Sequence, residues 1–148
     1  MLRCCFAGHR GYYDKAKREM IKRVAEDMIL NYDVKSFWVG NYGDFDRCSA
    51  EAVRELKKKY KHIKLELIIP YLTKIINENK EEFYKSYDAI LIADMPLSTP
   101  KQLQIIKTNQ YMVDNSDILI CSAERKFGGA AKTVEYARRK GKKIINIE

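Results

Sequence analysis

Short apolar runs of strand length alternate along the whole chain with stretches whose apolar residues recur at helical spacing. The strand-length runs cover residues 2–7, 37–39, 65–69, 89–93, 118–121 and 143–147. They are mostly apolar rather than alternating, which is typical of strands buried on both faces, and no hairpin signal such as Asn-Gly joins two of them. The pattern predicts an α/β fold, a Rossmann-like three-layer sandwich with a mostly parallel sheet.

The first helices are predicted from their apolar stripes. The stripe of the first helix consists of Ala16, Met20, Ile21, Val24, Ala25, Met28 and Ile29. A second helix is expected to begin at Asp44, because an acidic residue suits the first turn. A short surface helix is expected over residues 75–84, which are rich in lysine and glutamate.

The last two helices are predicted from their terminal residues. Thr99 is suited to cap one of them, with Pro100 at its first helical position. Gly128 and Gly129 are expected to open the other, and Gly141 to close it.

Composition and charge limit the class of protein. The chain has 148 residues, of which 46% are hydrophobic and 32% charged, so we expect residues 1–148 to form a single globular domain. No apolar run approaches the roughly 18 residues of a membrane span, and a secretory signal pattern is lacking. The formal net charge of +8 favours phosphorylated or polyanionic partners, although a solvated basic surface explains it equally well.

The cysteines and glycines indicate neither a metal nor a cofactor. Cys4, Cys5, Cys48 and Cys121 lack CxxC or Cys/His metal-ligand spacing, so reduced and mostly buried thiols in a cytoplasmic protein are expected. The chain also has no P-loop and no GxGxxG fingerprint.

Three loops that follow predicted strands have the content of a ligand site. They comprise Gly8, His9, Arg10 and Gly11 after the first strand, Gly40, Asn41, Tyr42, Gly43 and Asp44 after the second, and the residues that lead into Gly128 and Gly129 after the fifth. The carboxyl ends of parallel strands lie at one edge of a sheet, where α/β proteins bind ligands. We therefore expect Arg10 and Gly129 to share one cavity.

The glycine pair is the best phosphate-site candidate in the sequence. Glycine lets an anion approach the backbone, and the free N–H groups and dipole of a helix N-terminus favour negative charge. Lys132 and Thr133 lie close enough in sequence to add contacts. A tight turn with close helix–sheet packing explains the same pair equally well.

Other side chains of the loops have both a binding and a structural interpretation. Arg10 is suited to clamp a phosphate, and His9 to bond a base or sugar, whereas a loop-closing pair is the alternative. Asp44 and Asp46 are suited to accept ribose hydroxyls, although helix capping is favoured for Asp46. Tyr42 and Tyr71 are suited to stack on a base.

Glu135 is the one carboxylate that follows the glycine pair by about a helical turn. In that position it suits stabilisation of an oxocarbenium-like centre or action as a base. The spacing favours a solvent-facing ion pair with Arg138 or Arg139 instead. The basic runs at residues 57–64 and 138–143 fall at predicted helix C-termini, where dipole complementarity explains them.

Four segments resemble the motifs of small SLOG-superfamily proteins in the YpsA/YoqJ-like branch. Residues 5–10 (CFAGHR) resemble the family's opening motif, and residues 40–46 (GNYGDFD) its second-strand motif. Asn109 with residues 112–117 (MVDNSD) is similar to a third segment, and residues 128–137 (GGAAKTVEYA) to a helix start. The resemblance spans nearly the whole chain.

The resemblance implies a Rossmann-like fold that binds a nucleotide or nucleotide-derived ligand, often as a homo-oligomer. It brings Asn109 into the expected site. Other members include cytokinin-activating LOG phosphoribohydrolases, DNA-binding DprA proteins and sensor domains of conflict systems. The sequence differs from the LOG pattern P-G-G-x-G-T-x-x-E at three positions. Phe127 replaces the proline, Ala131 the third glycine and Lys132 the threonine, while Glu135 keeps the glutamate. In the nearer branch, Thr108 replaces an arginine.

Three hypotheses of function follow. The first is a non-catalytic protein that senses or sequesters a nucleotide-derived small molecule. The second is a nucleoside monophosphate phosphoribohydrolase with Glu135 as its catalytic residue. The third is single-stranded DNA binding, whose affinity would fall steeply with salt. No membrane partner is expected.

Overall fold

The computed structural model describes residues 2–71, 74–123 and 126–147, which form six strands and six helices. The strands are β1 (Leu2–Gly8), β2 (Val34–Val39), β3 (Lys64–Ile69), β4 (Ala89–Ile92), β5 (Ile118–Ser122) and β6 (Lys143–Asn146). The helices are α1 (Lys15–Tyr32), α2 (Asp44–Lys59), α3 (Lys74–Glu78), α4 (Lys80–Ser86), α5 (Lys101–Asp114) and α6 (Gly129–Arg139). Every predicted strand is present, although β2 begins at Val34 rather than at Phe37.

The strands form one sheet in the order β4-β3-β2-β1-β5-β6, and every neighbouring pair is parallel. The chain builds β2, β3 and β4 on one side of β1, then crosses to the other side for β5 and β6. The order therefore reverses between β1 and β5, which is where open α/β sheets bind ligands. The predicted α/β three-layer sandwich is confirmed.

Alternate side chains of the sheet pack against different helical layers. On one face, Phe6 packs against Phe37 and Phe45 at ring-centroid distances of 6.1 and 6.3 Å, in a core that α1 and α2 complete. On the opposite face, Cys5 and Ala7 join a second cluster with residues of α5 and α6. The sheet is thus covered on both sides, as its mostly apolar strands require.

The packed face of α1 is shorter than its apolar stripe. Ile21, Ala25, Met28 and Ile29 are buried, but Ala16 is exposed and Met20 is 36% exposed. The helix begins before its packed face does, because the Asp14 carboxylate caps it by accepting the N–H of Lys17 at 2.8 Å. Ala16 and Met20 therefore belong to the predicted stripe but not to the packed face of the helix.

The helix expected over residues 75–84 is in fact two helices, α3 and α4. The break lies at Asn79, whose φ and ψ are −121° and 33°. Its side-chain amide donates to the carbonyl of Ile75 at 2.7 Å, a local bond that competes with regular helix.

The expected cap of α5 is also wrong. The hydroxyl of Thr99 donates to the carbonyl of Pro96 at 2.6 Å and thus closes a turn before the helix. Pro100 has a ψ of 140° and precedes α5 instead of occupying its first turn. The Thr-Pro pair therefore ends a loop rather than capping the helix.

A polar network lies on the side of the sheet that faces α5. The Ser36 hydroxyl donates to Glu66 at 2.9 Å, and the Trp38 indole N–H donates to the same carboxylate at 3.3 Å. The guanidinium of Arg3 bonds Ser36 at 3.0 Å and lies 4.1 Å from the centre of the Trp38 ring. Tyr111 stacks on Trp38 at 5.8 Å, so the network ties three strands to α5.

Basic residues end α2 and α6, namely Lys57, Lys58, Lys59, Arg138 and Arg139. Their charge complements the negative ends of the two helix dipoles, as the sequence predicts. Since these helices run opposite to the strands, their basic ends lie at the amino edge of the sheet.

Among the residues described, no helix combines the length and hydropathy that crossing a bilayer would require.

Candidate functional site

A cavity of about 390 Å³ opens at the carboxyl edge of the sheet, where the strand order reverses. Four segments form it: the end of β1, the start of α2, the middle of α5 and the start of α6. Arg10 and Gly129 both line it, so the first and last of the three expected loops share one cavity. Its volume is in the range of small-ligand sites.

The loop after β1 is held in place by its backbone. The N–H of His9 donates to the carbonyl of Ser122 at 3.0 Å, and the His9 carbonyl accepts the hydroxyl of Tyr13 at 2.6 Å. Tyr13 is buried and packs on Phe45 with 5.4 Å between ring centroids. This fixed backbone presents His9 and Arg10 along the cavity wall.

Gly8 lines the cavity, but its lack of a side chain serves packing. A Cβ built at this position would lie 2.3 Å from Cγ of Phe45. Only glycine therefore lets the first turn of α2 approach the end of β1 so closely. Gly8 remains a predicted ligand residue through its backbone alone.

The start of α2 brings a carboxyl group into the cavity. One oxygen of Asp46 accepts the N–H of Tyr42 at 3.1 Å, and a Cβ on Gly40 would lie 3.0 Å from it. Burial raises the pKa of Asp46 to about 6, against the lowering effect of the Tyr42 bond. A carboxyl group whose pKa is raised in this way suits proton transfer as well as hydrogen bonding.

Tyr42 and Gly43 complete this wall of the cavity. Burial, with Tyr71 and Asp46 nearby, raises the pKa of Tyr42 to about 12, so its phenol stays neutral and can donate. Gly43 has a φ of 172°, which any residue adopts, and a Cβ there would meet no atom of the described residues within 4 Å. Neither strain nor packing requires glycine at this position.

The start of α6 has the features of an anion site. Gly128 has a φ of 96°, a conformation that favours glycine. Gly129 has open space around it within the described part of the chain, since a Cβ would meet none of those atoms within 4 Å. The first turn contains no acidic residue, and the leading N–H groups of a helix lack partners within it. The backbone and dipole here favour a negatively charged group.

The remaining wall is mostly apolar. Ile105 and Asn109 of α5 line the cavity together with Phe127, whose side chain is 69% exposed. An exposed aromatic ring beside a cavity can stack on a planar group such as a base. Sequence reasoning missed Ile105, Phe127 and Phe45. An aromatic residue directly before a glycine pair in a loop was the available signal for Phe127.

A second cavity of about 280 Å³ adjoins the first at Gly43, which lines both. Gly40, Asn41 and Asp44 line the second cavity and not the first. The β2–α2 loop therefore separates two spaces, and its predicted residues are divided between them.

The predicted side chains of α6, namely Lys132, Thr133 and Glu135, lie outside both cavities. The Thr133 hydroxyl donates to the carbonyl of Gly129 at 2.9 Å within α6. The Glu135 carboxylate forms an ion pair with Arg138 on the exposed side of the helix. Its catalytic role remains a prediction, without the cavity contact that the role requires. Tyr71 does not line either cavity.

The main cavity has two chemically different sides. The start of α6 follows β5 and the start of α2 follows β2, and these strands flank β1 on opposite sides. The α6 side offers backbone N–H groups, with Arg10 on the adjoining wall, and suits an anion. The α2 side offers the Asp46 carboxyl and suits a hydrogen-bond donor.

Among the residues described, no cluster of His, Cys, Asp and Glu could hold a metal ion.

Comparison with known proteins agrees with this fold. The model of the YspA SLOG family matches residues 9–146. No curated protein matches the sequence. DNA processing protein A (DprA) from Streptococcus pneumoniae has a similar structure, with a TM-score of 0.70 at 15% identity over 97% of this chain and 49% of that one.

DprA from Helicobacter pylori, described for its single-stranded DNA binding mode, is similarly related. Its TM-score is 0.68 at 14% identity, over 97% of this chain and 63% of that chain. The chain thus spans about half to two thirds of these proteins. At such identities the likeness shows the fold alone.

Proposed function

The chain belongs to the YspA SLOG family, and we propose that it binds a nucleotide-derived, phosphorylated small molecule in the main cavity as a sensor or sequestering protein. The observation that carries the proposal is that one cavity is lined both by the glycine-opened start of α6 and by the Asp46 carboxyl group. A mononucleotide has the matching polarity, since its phosphate is anionic and its sugar and base carry hydrogen-bond donors.

The phosphate end of the ligand is proposed to contact the backbone of Gly128, Gly129 and Ala130, with Arg10 adding charge. Gly129 supports this reading, because neither packing nor its backbone conformation requires glycine there. Bare backbone at a helix start lets a phosphate approach the N–H groups closely. Asn109 and Phe127 are proposed to contact the base, and Asp46 a sugar or base donor.

Titration calorimetry with the four common nucleoside monophosphates tests this proposal. The sharpest variant is Gly129→Asp, compared with the isosteric Gly129→Asn. A carboxylate at this position favours the helix dipole, so folding is retained, but it repels a bound phosphate. We expect the aspartate variant to lose binding and the asparagine variant to keep most of it. If no phosphorylated nucleotide binds the wild-type protein, the proposal is wrong.

Cleavage of an N-glycosidic bond is a second candidate function, which Asp46 rather than Glu135 supports. Asp46 contributes to the cavity a carboxyl group with a pKa of about 6, and a group that titrates in this range suits general acid or base catalysis. Release of adenine and ribose 5-phosphate from AMP, abolished by Asp46→Asn, would establish this activity. Binding of AMP without turnover would favour the sensor.

Single-stranded DNA binding is a third candidate, and the similarity in fold to the DprA proteins supports it. The net charge of +8 also favours a polyanion. Binding by the basic helix ends, at the edge opposite the cavity, would fall steeply with salt and would be insensitive to Gly129→Asp. A salt-insensitive or absent interaction with an oligonucleotide would exclude this role.

We also propose a homo-oligomer in the cytoplasm. The four cysteines are buried free thiols, which agrees with a reducing compartment. Light scattering on the purified protein tests the oligomeric state directly, and a monomeric mass would contradict it.

A further inference from the structure

We infer that the second cavity is a subsite for an additional phosphate group, so that the full ligand is a dinucleotide that crosses Gly43 and reaches Arg54. This inference rests on the proposed function, because it extends the ligand of the main cavity.

Arg54 is a positioned cation that has no acidic partner among the residues the structure describes. Its Nε donates to the carbonyl of Ser86 at 2.8 Å, and its guanidinium lies 4.8 Å from the centre of the Tyr87 ring. No carboxylate within the described ranges pairs with it, whereas two other basic residues of α2 are paired. Arg47 pairs with Asp44, and Lys57 pairs with Asp88.

These contacts make Arg54 suited to bind an anion. The backbone bond and the aromatic ring restrict the guanidinium, so little further ordering is needed when a ligand binds. One N–H is used, and the remaining donors of the planar group match two phosphate oxygens. Tyr87 lines the same cavity of about 280 Å³, which gives a phosphate space beside the guanidinium.

Gly43 provides the passage between the two subsites. It lines both cavities, its extended backbone does not require glycine, and a Cβ there would meet none of the described atoms within 4 Å. The missing side chain therefore leaves open the route that a longer ligand would take. Asp44 and Asp46 flank this route, where they can accept from the hydroxyls of a sugar.

Calorimetry with AMP and the 5′-phosphorylated dinucleotide pApA tests the inference. We expect pApA to bind about tenfold more tightly than AMP, since a charged hydrogen bond contributes on this scale. In Arg54→Gln this ratio should fall to about one. Arg139→Gln removes the same charge from an exposed position at the end of α6 and should keep the wild-type ratio. Because both affinities are measured on the same variant, their ratio does not change if a fraction of that protein is inactive.

Arg54→Lys is the second variant, because it keeps the charge if the glutamine variant folds poorly. It lacks the planar fork, so we expect a ratio between those of the wild type and Arg54→Gln. Equal affinities of wild-type protein for AMP and pApA, or an unchanged ratio in Arg54→Gln, would overturn the second subsite and leave the main cavity intact. Failure of both nucleotides to bind would overturn the proposed function as well.

Discussion

Gly8 at the end of β1 lies so close to Phe45 in the first turn of α2 that a Cβ on the glycine would meet the ring at 2.3 Å. Phe45 also packs against Phe6 and Tyr13, so the ring cannot move without disturbing the core and the wall of the cavity. This contact links the packing of the fold to the shape of the candidate site.

Gly8→Ala is therefore expected to destabilise the protein by about 1–3 kcal/mol, the usual cost of overpacking. Urea unfolding measures this change. Gly129→Ala is the matched control, because a Cβ at that position has open space, and its free energy of unfolding should stay within about 0.5 kcal/mol of the wild type. Equal stability of the two variants would show that the Phe45 ring can shift to accommodate the added methyl group at little energetic cost.

The ionisation of Asp46 should make stability depend on pH. Its pKa rises from 3.8 to about 6 on folding, so the folded state binds more protons than the unfolded state within that interval. The free energy of unfolding must then fall as the pH rises from about 4 to about 6. Asp46→Asn keeps an acceptor for the Tyr42 N–H and should remove this part of the slope.

Other charges near Asp46 must be controlled in that measurement. His9 and Arg10 line the same cavity from the loop after β1, and Asp44 and Arg47 lie on α2 itself. Asp44→Asn therefore serves as the control, since it removes a carboxylate from the same helical turn. If both variants retain the wild-type pH profile in urea unfolding, Asp46 is not the titrating group.

Glu135 is expected to contribute little to ligand binding. It lies outside the cavities and pairs with Arg138 in an exposed ion pair, an arrangement that typically contributes less than about 1 kcal/mol to stability. Glu135→Gln should leave the calorimetric affinity for AMP within about twofold of the wild type. A large loss of affinity for AMP in this variant would show that Glu135 contributes to ligand binding after all.

Glu66 is expected to be a stabilising residue. Glu66→Ala removes the acceptor shared by Ser36 and Trp38 and should cost about 1–3 kcal/mol. Trp38 is the only tryptophan, so its fluorescence reports both the unfolding transition and its local environment. Glu51→Ala, which breaks an exposed ion pair with Arg18, should cost less. A smaller effect at Glu66 than at Glu51 would contradict the network's role.

The order of strands and helices was predictable from the chain because it depends on local periodicity. Mostly apolar runs require a sheet covered on both faces, and an amphipathic stripe requires a helix packed on one side. Errors occurred where a side chain bonded its own backbone neighbours, as Thr99 and Asn79 do. Such bonds depend on local geometry that periodicity does not describe.

The glycine-rich loops after β1, β2 and β5 were readable from the chain alone, and parallel strands bring such loops to one edge. Which side chains face the cavity depends instead on how the elements pack. Helical phase turns Thr133 and Glu135 of α6 away from it, whereas α5 contributes Ile105 from a distant part of the chain. In the sequence, Asp46 is interpreted as a helix cap. In the structure it lines the cavity, and its burial beside Gly40 and Tyr42 raises the pKa of its carboxyl group. Desolvation depends on what packs around a group, and that is fixed only when distant segments meet.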